Sequence, residues 1–245
     1  MKKRHVFRKL SGLLATLALS SATSAEVVLG DRSVPCAEDS ACINRLHPAI
    51  PMVATADPGE RIVAGAFGFA GEQFGRDERF IVWRINKDYA VSDALPGVRI
   101  PNASFPGVIT TLPSERLLAD ILRRERKLLE IGGAGVDLDP NEAQPSLLCG
   151  PEGTKAAECL RTIPPREHGG NMDIRYMTTG TTVYLPCYID GCGLAVGDFH
   201  YAQGDGEVSG TAIEMGGTLT VTTRVLEDGP DLSHGPHYEG PASVL

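Results

Sequence analysis

Apolar positions recur at helical spacing over one long stretch of the chain. In SERLLADILRRERKLLE (114–130), Leu118, Ile121, Leu122, Glu125 and Leu129 fall on one face, and that face is mostly apolar. Ser114 stands at the N-cap position after Pro113, and Ile131-Gly132-Gly133 supplies a stop. The charged positions between them read as a solvated face. Elsewhere the pattern is shorter. TTVYLPCYI (181–189) and GTLTVTTRVL (217–226) are β-branched and alternate, which predicts strands. Residues 61–83 (RIVAGAFGFAGEQFGRDERFIVW) offer two short apolar runs separated by Gly-rich turns, again suited to strands. LPGVRIPNASFPGVIT (95–110) holds three prolines and reads as loops and edge strands. Residues 132–166, with Pro140, Pro145, Pro151, Pro164 and Pro165, are loop-like. The pattern predicts a mainly β chain with one long helix at 114–130 and long loops, consistent with a sandwich.

Composition agrees. Gly (28) and Pro (17) are about 18% of 245 residues, against roughly 12% on average. Aromatics are 6%, with a single Trp83, which disfavours stacking platforms for single-stranded nucleic acid. The net charge is −8. The first 25 residues carry Lys2, Lys3, Arg4, Arg8 and Lys9 and no acid, so the remaining 18 basic and 31 acidic residues leave −13. An acidic body repels phosphate backbones and anionic lipid. Nucleic acid and the bilayer surface are thereby disfavoured as partners, and a neutral or cationic small molecule or a metal ion remains open.

The N-terminus has three parts: a basic segment (1–9), a short apolar run (10–19, LSGLLATLAL) and small residues (20–25, SSATSA). This is the pattern of a secretory signal peptide over 1–25, with cleavage after Ala25. The apolar run is shorter than the ~20 residues that span a bilayer. The expectation is therefore an exported protein, periplasmic or secreted, with no membrane contact after cleavage. Residues 26–60 are polar and punctuated by Pro35, Pro48, Pro51 and Pro58-Gly59, and read as an exposed lead-in to a single domain over 61–245.

Export makes the six cysteines readable. They fall as Cys36 and Cys42, Cys149 and Cys159, Cys187 and Cys192. An even count in an oxidising compartment favours disulfides. Six cysteines allow fifteen connectivities, of which local pairing is the simplest. None has the CxxC spacing of a zinc ribbon, and none stands beside a His as a catalytic thiol would.

Chemistry-bearing residues concentrate among glycines in PPREHGGNMD (164–173) and VGDFHYAQGDGE (196–207). In an extended chain, residues i and i+2 share a face. Asn171 with Asp173, Asp198 with His200, and Asp205 with Glu207 form such pairs. A carboxylate with an imidazole suits Zn²⁺ or a similar divalent ion, and spare carboxylates can take protons from a bound water. The plain alternative is a set of Asp/Gly turns whose carboxylates bond their own backbone. The spacing does not match an EF-hand. GxSxG, P-loop and HExxH motifs are absent, and nothing marks Ser209 as a nucleophile.

At these residues the sequence resembles the acetamidase/formamidase family of amide hydrolases. The resemblance rests on PPREHGGNMDIRYMTTGTTVYLP (164–186) and GLAVGDFHYAQGDGEVSGTAIEMGG (193–217), with weaker support from 81–125, where the family's helix and its Arg-Glu pair fall at Arg124-Glu125. Gln203, where acetamidases often have Met, places it nearer the formamidase branch. The resemblance implies hydrolysis of short linear amides to carboxylate and ammonia, a jelly-roll-like β-sandwich core and a homo-oligomer. It carries over Asn171, Asp173, Asp198, His200, Asp205 and Glu207, and implies a divalent metal, zinc with calcium as the alternative. On this reading Asp173, Asp198, His200 and Asp205 are the metal ligands. Glu207 is the general base and then acid, and His168 or Asn171 steadies the oxyanion of a small neutral amide.

The sequence departs from the family in two respects. Members usually have a His before the Pro-Gly that reads Phe105-Pro106-Gly107 here, and they run longer at both ends. The alternative expectation is therefore an exported, non-catalytic member that binds a metal or a small amide.

Overall fold

The strand over 105–110 is buried at all but one residue and lies inside a four-stranded antiparallel sheet. The computed structural model describes residues 26–31, 33–66, 81–132, 140–208 and 210–240. The expected signal peptide, residues 67–80 of the stretch 61–83 and Ser209 lie outside the described residues, and the second apolar run of that stretch is not a strand at 81–83. In chain order the strands of the first half are β1 (Glu26–Leu29), β2 (Arg45–Leu46), β3 (Arg61–Ala66), β4 (Arg84–Ile85), β5 (Tyr89–Val91), β6 (Ile100–Pro101) and β7 (Phe105–Thr110). Helix α1 (Glu115–Glu130) and the single turn α2 (Ser146–Cys149) follow. The second half holds β8 (Leu160–Arg161), β9 (Gly169–Asn171), β10 (Thr182–Tyr184), β11 (Ala195–Ala202), β12 (Ile213–Met215), β13 (Gly217–Thr222) and β14 (His237–Glu239).

The chain is mainly β, as the pattern predicts. The central sheet runs β12-β11-β7-β9, and β11 also lies against β3 of a second sheet, β1-β3-β13. The chain crosses between these two sheets at Gly216-Gly217. A Cβ on Gly217 would sit 2.7 Å from the Phe199 ring, so a side chain there has no room. In β13 the threonines face out while Leu219 and Val221 are half-buried, which is the alternation read from 217–222. The other predicted strand is shorter than its text. TTVYLPCYI is paired only over Thr182–Tyr184, because Pro186 and the ring closed by Cys187–Cys192 take over beyond it. All three local cysteine pairs are disulfides.

Two expectations are corrected. Pro106 does not stand in an edge strand, since β7 is flanked by β11 and β9. It is tolerated because β9 pairs only with Val108, Ile109 and Thr110, leaving β7 a single neighbour at Pro106. Residues 26–60 are not an exposed lead-in. β1 pairs in parallel with β3, while Leu46 and Ile50 join Leu112, Leu118, Ile121 and Leu160 in one apolar cluster.

Helix α1 delivers its face to that cluster. The Ser114 hydroxyl accepts from the Leu117 amide at 3.2 Å, fixing the first turn. Leu118 and Ile121 are buried, and Leu117 and Leu122 pack beside them. The expected face ends one turn early, since Leu129 is 62% exposed. Glu125, a polar residue on the same stripe, is not solvated either. It accepts from the buried guanidinium of Arg166, and Arg161 Nη2 lies 3.5 Å away. Arg124 pairs with Glu167 and holds its carboxyl down at about 2. These ion pairs clamp α1 to the segment that leads into β9.

His168, next in that segment, is fully buried. Its Nδ1 lies 2.8 Å from the Thr111 carbonyl and 2.8 Å from the Thr110 hydroxyl. Burial lowers its pKa from 6.5 to about 4, so the ring is neutral.

Two outcomes follow from this packing. Leu118→Ala should lower unfolding stability by about 2–5 kcal/mol in urea titration, while Leu129→Ala should stay within about 0.5 kcal/mol of the parent. A folded-state pKa below the unfolded value means that the unfolded chain binds more protons between pH 6.5 and about 4. The stability that His168 contributes is complete above 6.5 and lost as pH falls through that window. His168→Asn keeps a donor for Thr111 and removes the titration. The parent should therefore lose about 3 kcal/mol relative to that variant between pH 7 and 4, and parallel stability–pH curves would refute the assignment.

Candidate active site

The antiparallel register sets Phe105 of β7 and Glu214 of β12 on either side of His200 in β11. Asp198 lies two residues earlier on the same strand, and although its backbone is left-handed (φ 52) rather than extended, its side chain reaches His200, the pairing expected from the i, i+2 spacing. Asp198 Oδ2 and Glu214 Oε2 are each 3.4 Å from His200 Nε2. Asp173 enters from the turn after β9, with Oδ1 4.0 Å from the same nitrogen. Glu207, from the turn after β11, brings Oε1 to 3.9 Å. Four carboxylates thus surround one ring nitrogen.

The backbone is bent to achieve this. Asp173 (φ 48), Asp198 (φ 52) and Glu207 (φ 43) all lie in the left-handed region that non-glycine residues avoid. Such conformations cost roughly 1–3 kcal/mol each and gather at functional sites. Gly107 on β7 makes the space. A Cβ there would lie 2.6 Å from Asp173 Oδ1 and 2.7 Å from Asp198 Oδ2. Asn171 donates from Nδ2 to Asp173 Oδ2 at 2.7 Å, so the Asn171–Asp173 pair also acts as a unit.

Crowding of like charges shows in the proton affinities. Burial first, and then repulsion from Asp173, pushes Glu207 up to about 7. Burial and the Asp198 charge raise Asp173, and burial raises Glu214. For His200, burial favours the neutral ring, but the hydrogen bond to Asp198 and the charges of Glu214 and Asp198 outweigh it and carry the pKa to about 9. Asp173 Oδ1 and Glu214 Oε2 are buried and accept no hydrogen bond. Ligand atoms of Asp173, Asp198 and His200 fall within 4.8 Å of one another, as do those of His200, Glu207 and Glu214. One imidazole nitrogen with bare carboxylate oxygens is a donor set for a divalent cation.

Not every expected residue arrives. Asp205 is 73% exposed and turned outward, accepting from the Tyr176 hydroxyl at 3.0 Å with Arg175 Nη1 at 3.5 Å. The Asp205–Glu207 pair was read as extended, but the segment is a tight turn with Gly206 at φ 76, in which i and i+2 diverge. His168 is also elsewhere. It packs against Thr110 and Thr111, five or more residues along β7 from Phe105, which is roughly 17 Å at strand rise. It therefore cannot steady an oxyanion at His200. Glu214 has no spaced partner in the sequence and reaches His200 only through the pairing of β12 with β11. Phe105 sets its ring edge-on to His200 with centroids 5.0 Å apart.

The sequence profile of the acetamidase/formamidase family matches residues 65–239. A formamidase from Methylophilus methylotrophus is 37% identical over 177 residues, covering 66% of this chain and 41% of that protein. An acetamidase from Mycolicibacterium smegmatis is 37% identical over 158 residues, covering 60% of this chain and 38% of that one. The chain thus spans about two fifths of the length of these curated relatives. Among solved structures, a γ-lactamase from Delftia acidovorans superposes with a TM-score of 0.76 at 25% identity, covering 89% of this chain and 72% of its own. The profile spans the strands and turns that converge on His200, and the chain belongs to the acetamidase/formamidase family.

Proposed function

We propose that this chain is an exported amide hydrolase that cleaves short, neutral, linear amides of the formamide or acetamide type to carboxylate and ammonia. The observation that carries the reading is the convergence of Asp173, Asp198, Glu207 and Glu214 on His200 Nε2. Family membership and the names of the curated relatives supply the reaction class.

Amide cleavage needs a nucleophile, a counter-charge at the carbonyl oxygen and a proton for the leaving nitrogen. Asp173, Asp198 and His200 would hold a divalent cation, zinc or calcium. When bound, it supplies a Lewis acid for the carbonyl and lowers the pKa of a bound water toward ~7. The bare Asp173 Oδ1 supports that fit. Glu207, raised to about 7, suits the proton transfers. Its carboxylate takes a proton from the attacking water as the O–C bond forms. It returns that proton to nitrogen as the C–N bond breaks, so the carboxylic acid and ammonia leave with Glu207 ionised again, and the acid then gives its proton to the ammonia or to bulk water to become carboxylate. Asn171 orients Asp173 through its Nδ2. The acidic surroundings disfavour anionic substrates.

Three short-range disulfides support export to an oxidising compartment. Among the described residues no helix is long and apolar enough to cross a membrane. Assembly into a homo-oligomer belongs to the same proposal, supported by exposed Leu128, Leu129 and Ile131 at the end of α1. One observation favours the second reading, a non-catalytic binding member: an apolar ring, Phe105, stands against His200 at the position where the resemblance leads to an expected His.

Ammonia release from formamide and acetamide, with and without chelator, separates the two readings. The hydrolase should release ammonia, and chelation should abolish it. Metal uptake without turnover would select the binding member. Glu207→Gln should retain metal by elemental analysis and lose turnover by about 10²–10⁴-fold. Turnover like the parent's would remove Glu207 from its role. Gly107→Ala, which drives a methyl between Asp173 and Asp198, should weaken metal binding by at least about tenfold. An unchanged metal dissociation constant would place the cation elsewhere.

A further inference from the structure

Gln203 follows β11 and is 9% exposed. Its amide meets a different partner at each end. Oε1 lies 2.7 Å from His200 Nδ1, and Nε2 donates to the backbone carbonyl of Asp173 at 2.8 Å. A backbone carbonyl can only accept, so the amide must turn its nitrogen to Asp173 and its oxygen to the imidazole. That oxygen also only accepts, so Nδ1 is the ring nitrogen that carries a proton. Nε2 is then the ring atom left to face Asp198 and Glu214. The carbonyl that orients the amide belongs to Asp173, one of the residues held at positive φ.

We propose that Gln203 is a positioning residue that writes the geometry of one ligand into the next. By anchoring on the Asp173 carbonyl it fixes its own amide orientation, holds the His200 proton on Nδ1 and presents Nε2 to the carboxylates as the atom that binds a divalent cation. The cation part of this inference rests on the function proposed above, whereas the placement of the proton does not. Gln203 touches neither the reacting atoms nor the cation, and acts through His200 and Asp173.

Nitrogen-15 spectra of histidine-labelled protein, with and without added Zn²⁺, test the placement in the parent chain. The His200 resonance is assigned by its loss in His200→Gln. Nδ1 should be protonated in both samples, and the Nε2 resonance should move on zinc addition. A bare Nδ1 in the parent would overturn the proposal without any change at Gln203. Gln203→Leu removes both contacts and should weaken zinc binding, measured against a chromophoric chelator, by about 10–100-fold. Gln203→Glu keeps an acceptor facing Nδ1 but loses the donor to the Asp173 carbonyl, so it should keep Nδ1 protonated and still bind zinc about tenfold more weakly than the parent. Zinc binding by Gln203→Leu equal to the parent's, or a bare Nδ1 in a folded Gln203→Glu, would overturn it. If Gln203→Leu fails to fold, the parent spectrum and Gln203→Glu decide. A protonated Nδ1 in a chain that takes up no zinc would support the placement and overturn the cation reading of the site.

Discussion

The site depends on one electrostatic constraint. Four carboxylates that would each be ionised in water are held around a single imidazole nitrogen, the farthest oxygen at 4.0 Å. Fully ionised, the group would carry four negative charges against at most one positive. In a partly buried setting like charges at such separations repel by several kcal/mol, so the cluster must draw in positive charge. Without a cation it does so with protons: His200 holds one to about 9 and Glu207 to about 7. A divalent ion meets the same demand with one particle. The proton-hungry cluster and the cation site are two responses to one crowding.

The scaffold bears the cost. Asp173, Asp198 and Glu207 all adopt backbone conformations that no local preference favours. They are held by β7 and β12 on either side of β11, by the α1 clamp on the segment entering β9, and by the Gln203 bridge between His200 and Asp173. Gly107 is the passive partner of this arrangement. It contributes nothing but the room in which the Asp173 and Asp198 oxygens meet.

Much of this was legible in residue order, for reasons of period. The capped helix at 114–130 has caps and spacing that are local facts. The pairs Asn171 with Asp173 and Asp198 with His200 stand out at a spacing of two, but their side chains meet with Asp173 and Asp198 in left-handed backbone, so the spacing was legible and the conformation was not. The same rule failed at Asp205, where Gly206 breaks the extended run and turns the carboxylate to Arg175 and Tyr176. His168 was misplaced because nearness in sequence to Asn171 says nothing of direction along β7. Glu214 was invisible because its proximity to His200 is a cross-strand register, settled by pairing rather than spacing. The burial of 26–60 was hidden for a similar reason. Leu46 and Ile50 are isolated apolar residues in a polar text, and become core only when α1 is laid over them.

Phe105 shows how the site's chemistry is narrowed by what stands beside it. An apolar ring edge-on to His200 leaves the cluster with one imidazole and an excess of carboxylate oxygen. A second histidine there would move the donor set toward the nitrogen-rich sites that zinc favours, whereas oxygen-rich sets are shared with harder ions such as calcium. Phe105 also offers His200 no hydrogen bond, so on the strand side nothing competes with Gln203 for Nδ1. The ring's orientation is therefore governed from the turn that follows β11, the same turn that carries Glu207. A change in that turn acts on the imidazole and the proton-transferring carboxylate together.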